Sequence, residues 1–503
     1  MASAIRTSVA DSTPYPSGAI RVAVIGGGIS GLAAAYFIRR SLSRVELRVL
    51  EASDRLGGPL HTLRSGELVL EQGADSFLIK TPYALDLCRE LGLADRLVPT
   101  GEKFRRALVV RGGKLLPVPD GFVLMKPQNL PAIMSSPVLS LAGKLRLLAE
   151  PLMRSRRGLD DPAYDESVAS FATRRLGREA FERLVEPLVA GIYVADARKL
   201  SLAATFPEFI EAERTHGSLW RSCRAARLPG KRKGRDANAP TAAPTSAARY
   251  GQFVTLEGGL RVLVDALAAA LPAGAARLGT PVRRLERRAA GRWTITPAGG
   301  EPPEHFDGVV VAASTGCAAS LIRPWDAELA SRLEQIQYAS SAVVTLVYRR
   351  DQIAHPLDGF GAVVPAVEQR PIVAASFLHV KLPTHVPKGL AVIRVFSGGV
   401  LHPETVDRDD QQLIATAKQQ LAELVGASGD PRETHVARWR NSMPQYEVGH
   451  VQLASEIERR VAAHDGLQLA GNGYHGVGIP HCIHTARAAA QRLVNQLKAS
   501  RRL

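Results

Sequence analysis

The chain has 503 residues and a formal net charge of +16, from 64 Lys and Arg against 48 Asp and Glu. That length exceeds one ordinary hydrophobic core, so two or more interleaved domains are expected. The basic balance favours anionic partners such as acidic lipid or a carboxylate-rich substrate. Nucleic acid is argued against by the lack of zinc-finger spacing or an RNA-binding aromatic motif, with aromatics at 5%. Cys88, Cys223, Cys317 and Cys482 are scattered without a C-x-x-C pair. This suits a reducing compartment and gives neither a disulfide frame nor a metal site. No apolar run reaches the roughly 18 residues of a membrane span. Residues 1–18 hold Ser, Thr, Pro and Arg without an apolar core. They read as a disordered extension rather than a secretory signal, a transit peptide being the lesser alternative.

Residues 21–58 carry the densest signal. A β-branched run at 22–25 reads as a buried parallel strand, and Gly26, Gly28 and Gly31 follow in the spacing G-x-G-x-x-G. A helix over 28–40 directs its N-terminal amides and dipole at a pyrophosphate. A second apolar strand at 45–50 leads to Glu51, 20 residues after Gly31, where a carboxylate can accept hydrogen bonds from ribose hydroxyls. The glycines alone could be ordinary turns; in register with strand, helix and acid they read as a dinucleotide site. Its residues are Gly26, Gly27, Gly28, Ile29, Ser30, Gly31 and Glu51, to which a resemblance carried by the stretch that follows adds Ala52, Arg55 and Gly58.

The stretch Glu51-Ala52-Ser53-Asp54-Arg55-Leu56-Gly57-Gly58 resembles the second glycine signature of the FAD-dependent oxidases that include amine oxidases and protoporphyrinogen oxidases. The resemblance implies FAD. Pro59 stands where family members carry a basic residue, which removes one phosphate contact. Gly73, Ala74, Asp75 and Ser76 are assigned beneath the flavin by the same resemblance, although a hairpin exit would explain Gly73 and Asp75 equally well.

In chain order, the pattern predicts a helix at 81–97 and a hairpin of strands at 107–110 and 114–118 about Gly112-Gly113. Arg105 and Arg106 open that hairpin. Their planar forks suit substrate carboxylates, and a solvated basic pair is the bland alternative. Residues 120–230 read as mostly helical. Within them, 121–143 is apolar and proline-punctuated. An amphipathic helix there, flanked by Lys126, Lys144, Arg146 and Arg154, could lie on an anionic membrane; helices packed around a substrate cavity fit at least as well. Gly191-Ile192-Tyr193, with Asp196 and Lys199-Leu200-Ser201, resembles the segment lining the porphyrin cavity of protoporphyrinogen oxidases, with Gly191 at the close contact. Residues 221–248 read as a basic, then Ala/Pro/Thr-rich disordered insertion.

Residues 253–260 start the return to the nucleotide domain, followed by a helix through 271 and a strand at 280–284. By resemblance, the main chain of Val282 there meets the adenine. Strands at 293–296 and 306–313 follow, and 335–400 reads as antiparallel strands. Within the latter, Pro356-Leu357-Asp358-Gly359-Phe360-Gly361-Ala362-Val363-Val364-Pro365 resembles protoporphyrinogen oxidases, which implies that Phe360 stacks on a pyrrole ring. Trp439, Met443-Pro444-Gln445-Tyr446 and Gly449-His450 match a further family segment, with Ser442 in place of the usual alanine. A strand and glycine turn at Gly471 then lead through Val477, Gly478 and Ile479 to a closing helix at 482–498. The N-terminus of that helix can polarise the flavin N1–C2=O edge. His481 stands where bacterial relatives often carry aspartate, and Cys482 matches an unlinked cysteine, so the FAD is expected to be non-covalent.

The expected fold class is α/β plus α+β: a Rossmann-type FAD-binding domain (19–80, 249–325, 441–503) interleaved with an antiparallel-sheet substrate domain (81–120, 326–440) and a helical membrane or substrate-cavity lobe (121–220). The resemblance implies six-electron oxidation of protoporphyrinogen IX in heme biosynthesis, by three rounds of flavin reduction and reoxidation, with dioxygen as acceptor and hydrogen peroxide released. Coproporphyrinogen III is the close alternative, on the likeness of residues 121–127 to the bacterial branch. A flavin amine oxidase and a non-catalytic flavoprotein stand behind it. Arg105, Arg106, Gly191 and Phe360 are the substrate residues, Trp439 joins the cofactor residues, and no acid, base or metal ligand is assigned. The expected location is cytoplasmic. Peripheral contact with the inner face of the cell membrane, a ferrochelatase or other heme-pathway partner, and a homodimer are left open.

Overall fold

The computed structural model describes residues 19–226, 252–288 and 292–501. Strand β1 (Ile20–Ile25), helix α1 (Ile29–Ser41) and strand β2 (Val45–Leu50) form the first unit. Val22, Ala23 and Val24 are fully buried, as a parallel strand covered on both faces requires. β1 and β2 pair in parallel from Ile20–Val45 to Ile25–Leu50. The sheet runs Ala276–Arg277, β2, β1, Gly308–Val311, Leu467–Leu469, so it is assembled from three distant parts of the chain. Leu32 and Ile38 of α1 pack with Leu493 and Val494 of the closing helix Ile479–Arg501 on one face. Ala23, Ile25 and Val311 meet Ala318, Ile322 and Leu333 on the other.

A second sheet has seven strands in the order Glu433–Pro444, Tyr338–Arg349, Leu390–Gly398, Ala374–Phe377, Gly361–Val363, Ala107–Arg111, Lys114–Pro117. Its pairs are antiparallel except Gly361–Val363 with Ala107–Arg111, which run parallel. The two-residue alternation of strands decides its faces. Leu108, Ala362, Ala375, Val395 and Val344 pack against Leu413, Ala417 and Leu421 of the helix Asp410–Val425. The opposite face carries Val109, Val363, Ala374, Phe396 and Val343 on one rung. Ala107 and Val109 there meet the helical segment through a core that includes Val185, Leu188 and Val189.

Several elements depart from the sequence expectations. The helix expected over 81–97 is Tyr83–Glu90, ended by Gly92 at φ +71° and followed by a short turn and the strand Leu97–Pro99. The amphipathic helix expected over 121–143 is absent. Phe122–Val123 pairs with Lys126–Pro127 as a small hairpin, and Leu130–Ser135 and Leu141–Leu148 are separate short helices. The prolines decide this: Pro131 fits only a helix start, and Pro137 forces extended backbone on the residue before it. Phe253–Leu256 pairs with Phe77–Leu78 and Leu97–Pro99 in a three-stranded sheet of its own. The closing helix starts at Ile479, with Pro480 tolerated in its first turn. Helix Leu219–Ala225 takes in the first residues of the expected 221–248 insertion. The rest of that insertion and the expected 1–18 extension lie outside the described residues.

Candidate active site

The dinucleotide motif is shaped by close packing. A Cβ on Gly31 would lie 1.9 Å from the Gly26 carbonyl oxygen, so only glycine lets α1 sit this close to the turn. At Gly28 a Cβ would meet nothing within 4 Å, which leaves open space above the turn. Gly28 caps α1 without any side-chain hydrogen bond, so the first amides and the positive end of the helix face that space. The 55–58 loop closes its side: the Gly57 N–H donates to the Gly27 carbonyl at 2.9 Å, and Gly28 bridges Gly57. Arg55 in this loop has a buried Nη1 with no hydrogen-bond partner among the described residues. Burial, and then the nearby Arg261, push its guanidinium below the usual arginine range. An unpartnered cation beside an uncapped helix N-terminus fits a diphosphate, and it stands in the neighbourhood where Pro59 supplies no charge.

Glu51 is already oriented. Its Oε2 accepts from the Gly27 N–H at 2.5 Å, and its Oε1 accepts from Ser53 N–H at 2.9 Å and Ser53 Oγ at 2.7 Å. Ala52 beside it is exposed. Thr280 N–H donates to the Glu51 carbonyl at 2.8 Å, which brings the strand Val282–Arg287 to this end of the sheet.

The Gly73–Ser76 stretch is tied down from the second sheet. Asp75 pairs with Lys381 at 2.6 Å and with the buried Arg394 at 3.1 Å, and accepts from Ser76 Oγ at 2.8 Å. Burial pushes its carboxyl up, but the two cations outweigh that and hold it down at about 2. Arg394 also donates to the Gly73 carbonyl. Trp439 Nε1 donates to the Gln72 carbonyl at 2.8 Å, and the Arg55 guanidinium lies 5.9 Å from the Trp439 ring centroid. Behind this stretch Glu71 is fully buried. It accepts from Leu260 N–H at 2.6 Å and Thr62 Oγ1 at 2.9 Å, and burial pushes its carboxyl up to about 7. Asp75 thus spends its carboxylate on anchoring the backbone of residues 73–76.

On the far side, Gly471 has φ +142° and begins the turn that runs through Val477 and Gly478 into Ile479. Cys482 N–H donates to the Gly478 carbonyl at 3.0 Å. Its buried thiol lies 3.9 Å from the Val477 carbonyl and is pushed up to about 11, a protonated sulfur poorly suited to covalent attachment.

The expected substrate residues fall into two groups. Gly191, in the helix Glu186–Tyr193, is exposed, and a Cβ there would meet only Val363 Cγ1, at 3.4 Å. Gly191 therefore abuts Val363 on that rung of the second sheet. Arg106 and Phe360 lie together. Phe360 N–H donates to the Arg106 carbonyl at 2.9 Å, and Arg106 pairs with the Asp358 carboxylate while its Nε donates to the Asp358 carbonyl at 2.7 Å. Arg105 donates to the carbonyls of Gly101 at 2.9 Å and Thr100 at 3.2 Å. Both guanidinium groups thus have internal partners, and Phe360 is only 4% exposed. Phe396 is half-open on the sheet face, opposite Ala374 and with the Arg394 guanidinium 5.1 Å from its ring. Sequence reading missed Phe396, Lys381 and Arg394. Strand alternation across residues 390–398 was the available signal, but it does not say which face is open.

The flavin containing amine oxidoreductase family matches residues 29–494, and the chain belongs to this family. It is an FAD-dependent oxidoreductase, and the uncapped turn, Arg55 and Glu51 fit that cofactor. Within the family it is 32% identical to the coproporphyrinogen III oxidase of Bacillus subtilis (strain 168), over 95% of this chain and 98% of that one. It is 31% identical to the protoporphyrinogen oxidase of Bos taurus, over 94% of this chain and 98% of that one. The crystal structure of a putative protoporphyrinogen oxidase from Exiguobacterium sp. 255-15 superposes with a TM-score of 0.83 at 30% identity, over 95% of this chain and 99% of that one.

Proposed function

We propose that this chain oxidises a porphyrinogen to the corresponding porphyrin in heme biosynthesis. The observation that carries this reading is the near full-length likeness to porphyrinogen oxidases, 32% identity over 95% of the chain in the case of the B. subtilis enzyme. Bound FAD supplies a two-electron acceptor, so three rounds remove six electrons, and three dioxygen molecules leave as three hydrogen peroxide. The chain's own work is placement. The Gly26–Gly31 turn, Arg55, Gly58 and Glu51 hold the diphosphate and ribose, Val282 the adenine, and residues 73–76, Trp439 and the 471–479 turn surround the ring. Residues 19–80, 249–325 and 441–503 act as the FAD-binding domain; 81–120 and 326–440 bind substrate, with the 121–220 lobe closing the cavity.

The exposed Gly191, with the small Ala374 beside half-open Phe396, favours a flat ligand along the edge where the helix meets the sheet. We assign pyrrole stacking to Phe396, since at Phe360 the ring would first have to be uncovered. Arg105 and Arg106 stand near the same strands as guides for propionates. Holding the macrocycle and keeping water out suffices, because aromatisation supplies the driving force.

Protoporphyrinogen IX is the substrate we place first. Coproporphyrinogen III is the second reading, favoured by the likeness to the enzymes of B. subtilis, Propionibacterium freudenreichii and Staphylococcus aureus. Purified holoenzyme given each porphyrinogen aerobically should develop porphyrin fluorescence, and the larger kcat/KM names the substrate. Silence with both, alongside oxygen uptake with amines, would overturn the proposal.

No helix among the described residues is long and apolar enough to cross a membrane. Leu141, Leu145 and Leu152 are nevertheless 69%, 56% and 80% exposed, in a stretch that carries exposed Arg154 and Arg157. We place peripheral contact with an anionic membrane face here. Leu141→Asp with Leu145→Asp should abolish co-sedimentation with phosphatidylglycerol vesicles, and unchanged sedimentation would refute the contact.

A further inference from the structure

Tyr446 lies at the crossing of three parts of the molecule. Its ring is 1% exposed and stacks on the His450 imidazole, with centroids 3.9 Å apart and planes 17° apart. Its hydroxyl donates to the Asn472 carbonyl and accepts from the Gly476 N–H at 2.8 Å. One phenol therefore spans the turn that leads from Leu467–Leu469 into the closing helix. His450 braces the same turn: its Nε2 lies 3.0 Å from the Tyr474 carbonyl, which can only accept, so that nitrogen carries the proton. Asn472 Nδ2 donates to the Ser442 carbonyl at 3.0 Å. On the other side the Tyr446 carbonyl accepts from Ser201 N–H at 2.7 Å, and Gln445 Nε2 donates to the Tyr193 carbonyl at 3.3 Å. Residues 445–446 thus join the 471–479 turn to the helix that carries Gly191.

We propose that Tyr446 is a positioning residue that sets the electron affinity of the bound flavin by holding the 472–476 turn, and couples that turn to the helix carrying Gly191. This rests on the flavin ring lying against the 471–479 turn. Backbone donors there, and the N-terminus of the closing helix, favour the electron-rich reduced ring only while aligned with it. Without the hydroxyl, the half-buried Asn472 carbonyl and Gly476 N–H lose their partner together, and the turn relaxes to satisfy them. Tyr446→Phe keeps the ring and its stack on His450, so the fold is retained while the bridge is lost.

The test is the reduction potential of FAD bound to the holoenzyme, measured by equilibration with a redox dye. Flavin absorbance of the wild type establishes the cofactor reading beforehand, so its failure is told apart from failure of this one. Tyr446→Phe should lower the preference for reduced over oxidised flavin about tenfold, which is about 30 mV for a two-electron couple. The absorbance shift that porphyrin product induces in wild-type flavin should shrink in parallel. Should Tyr446→Phe fold poorly, 3-fluorotyrosine at position 446 keeps the stack but, as a more acidic phenol, donates more strongly to Asn472 and accepts more weakly from Gly476, so it should move the potential by less than the phenylalanine would. A potential unmoved in whichever of the two variants folds, or a product-induced shift of full size in Tyr446→Phe, overturns the proposal.

Discussion

Replacing Arg55 with methionine should move stability and cofactor affinity in opposite directions. Its buried Nη1 lacks a partner among the described residues, and burial with the neighbouring Arg261 disfavours its charge. A buried unsatisfied donor costs about 1–3 kcal/mol, more for charged groups. Against that stands the contact with the Trp439 ring at 5.9 Å, worth about 0.5–1 kcal/mol. Arg55→Met should therefore leave the apoprotein as stable as wild type or up to about 2 kcal/mol more stable. With FAD the sign reverses, because the guanidinium gains the diphosphate. A charge-assisted hydrogen bond is worth about 1.5–3 kcal/mol, so the FAD dissociation constant should rise about 10–150-fold. The assay titrates apoprotein with FAD and follows flavin fluorescence, with chemical denaturation of both apoproteins alongside. The loss should be larger at low salt than at high salt, where screening weakens the wild-type contact. Unchanged affinity, or affinity and apoprotein stability falling together, would refute the reasoning.

Arg394→Met should be costly. It strips Asp75 of a buried partner and the Gly73 carbonyl of a donor, and breaking such a pair costs about 3–5 kcal/mol in denaturant unfolding. Asp75 keeps Lys381 at 2.6 Å, so the loss should lie toward the lower end of that range. Glu71 titrates the fold from the opposite direction. Its folded pKa of about 7 stands above an ordinary value of 4.5, so the stability it contributes is fully present below about pH 4.5 and lost as pH rises through 7. That difference corresponds to about 3 kcal/mol. Glu71→Gln should flatten this part of the stability–pH profile, and a slope equal to wild type would contradict the assignment. Gly191→Leu should raise KM for the porphyrinogen more than tenfold with FAD retained, because its side chain juts from the exposed helix edge beside Val363. Loss of flavin in that variant would mean the helix is structural.

The nucleotide half of the molecule was readable because its constraints are local. The G-x-G-x-x-G spacing, β2 at 45–50 and Glu51 all follow from one strand–helix–strand unit whose residues lie near one another in sequence. Of the two expectations for 121–143, the single amphipathic helix is broken at Pro131 and Pro137, because prolines decide where a helix can start and stop, and short separate helices stand there instead. The substrate side was less legible for a different reason. Asp75 looked like a flavin contact, yet its partners Lys381 and Arg394 lie more than 300 positions away, and no local pattern announces an ion pair of that span. Phe360 drew attention for its flanking glycines, whereas Phe396 is told apart only by which face of a seven-stranded sheet carries the helix Asp410–Val425.

The strand order of the first sheet has a consequence for biosynthesis. β1 is sandwiched between a strand that begins at residue 45 and one that begins at residue 308, and the far edge waits for Leu467–Leu469. At roughly 5–20 residues per second, about 20–90 s of translation separate β1 from that last strand. The second sheet waits in the same way, since Ala107–Arg111 can pair with Gly361–Val363 only after some 250 further residues. Until residues 308–311 emerge one edge of β1 lacks its native neighbour, and until 361–363 emerge so does one edge of the 107–111 strand, so the nascent chain is the form most exposed to misassociation and chaperone capture. Supplying more FAD cannot shorten this phase, because the turn we assign to the flavin ring is among the last parts to be made.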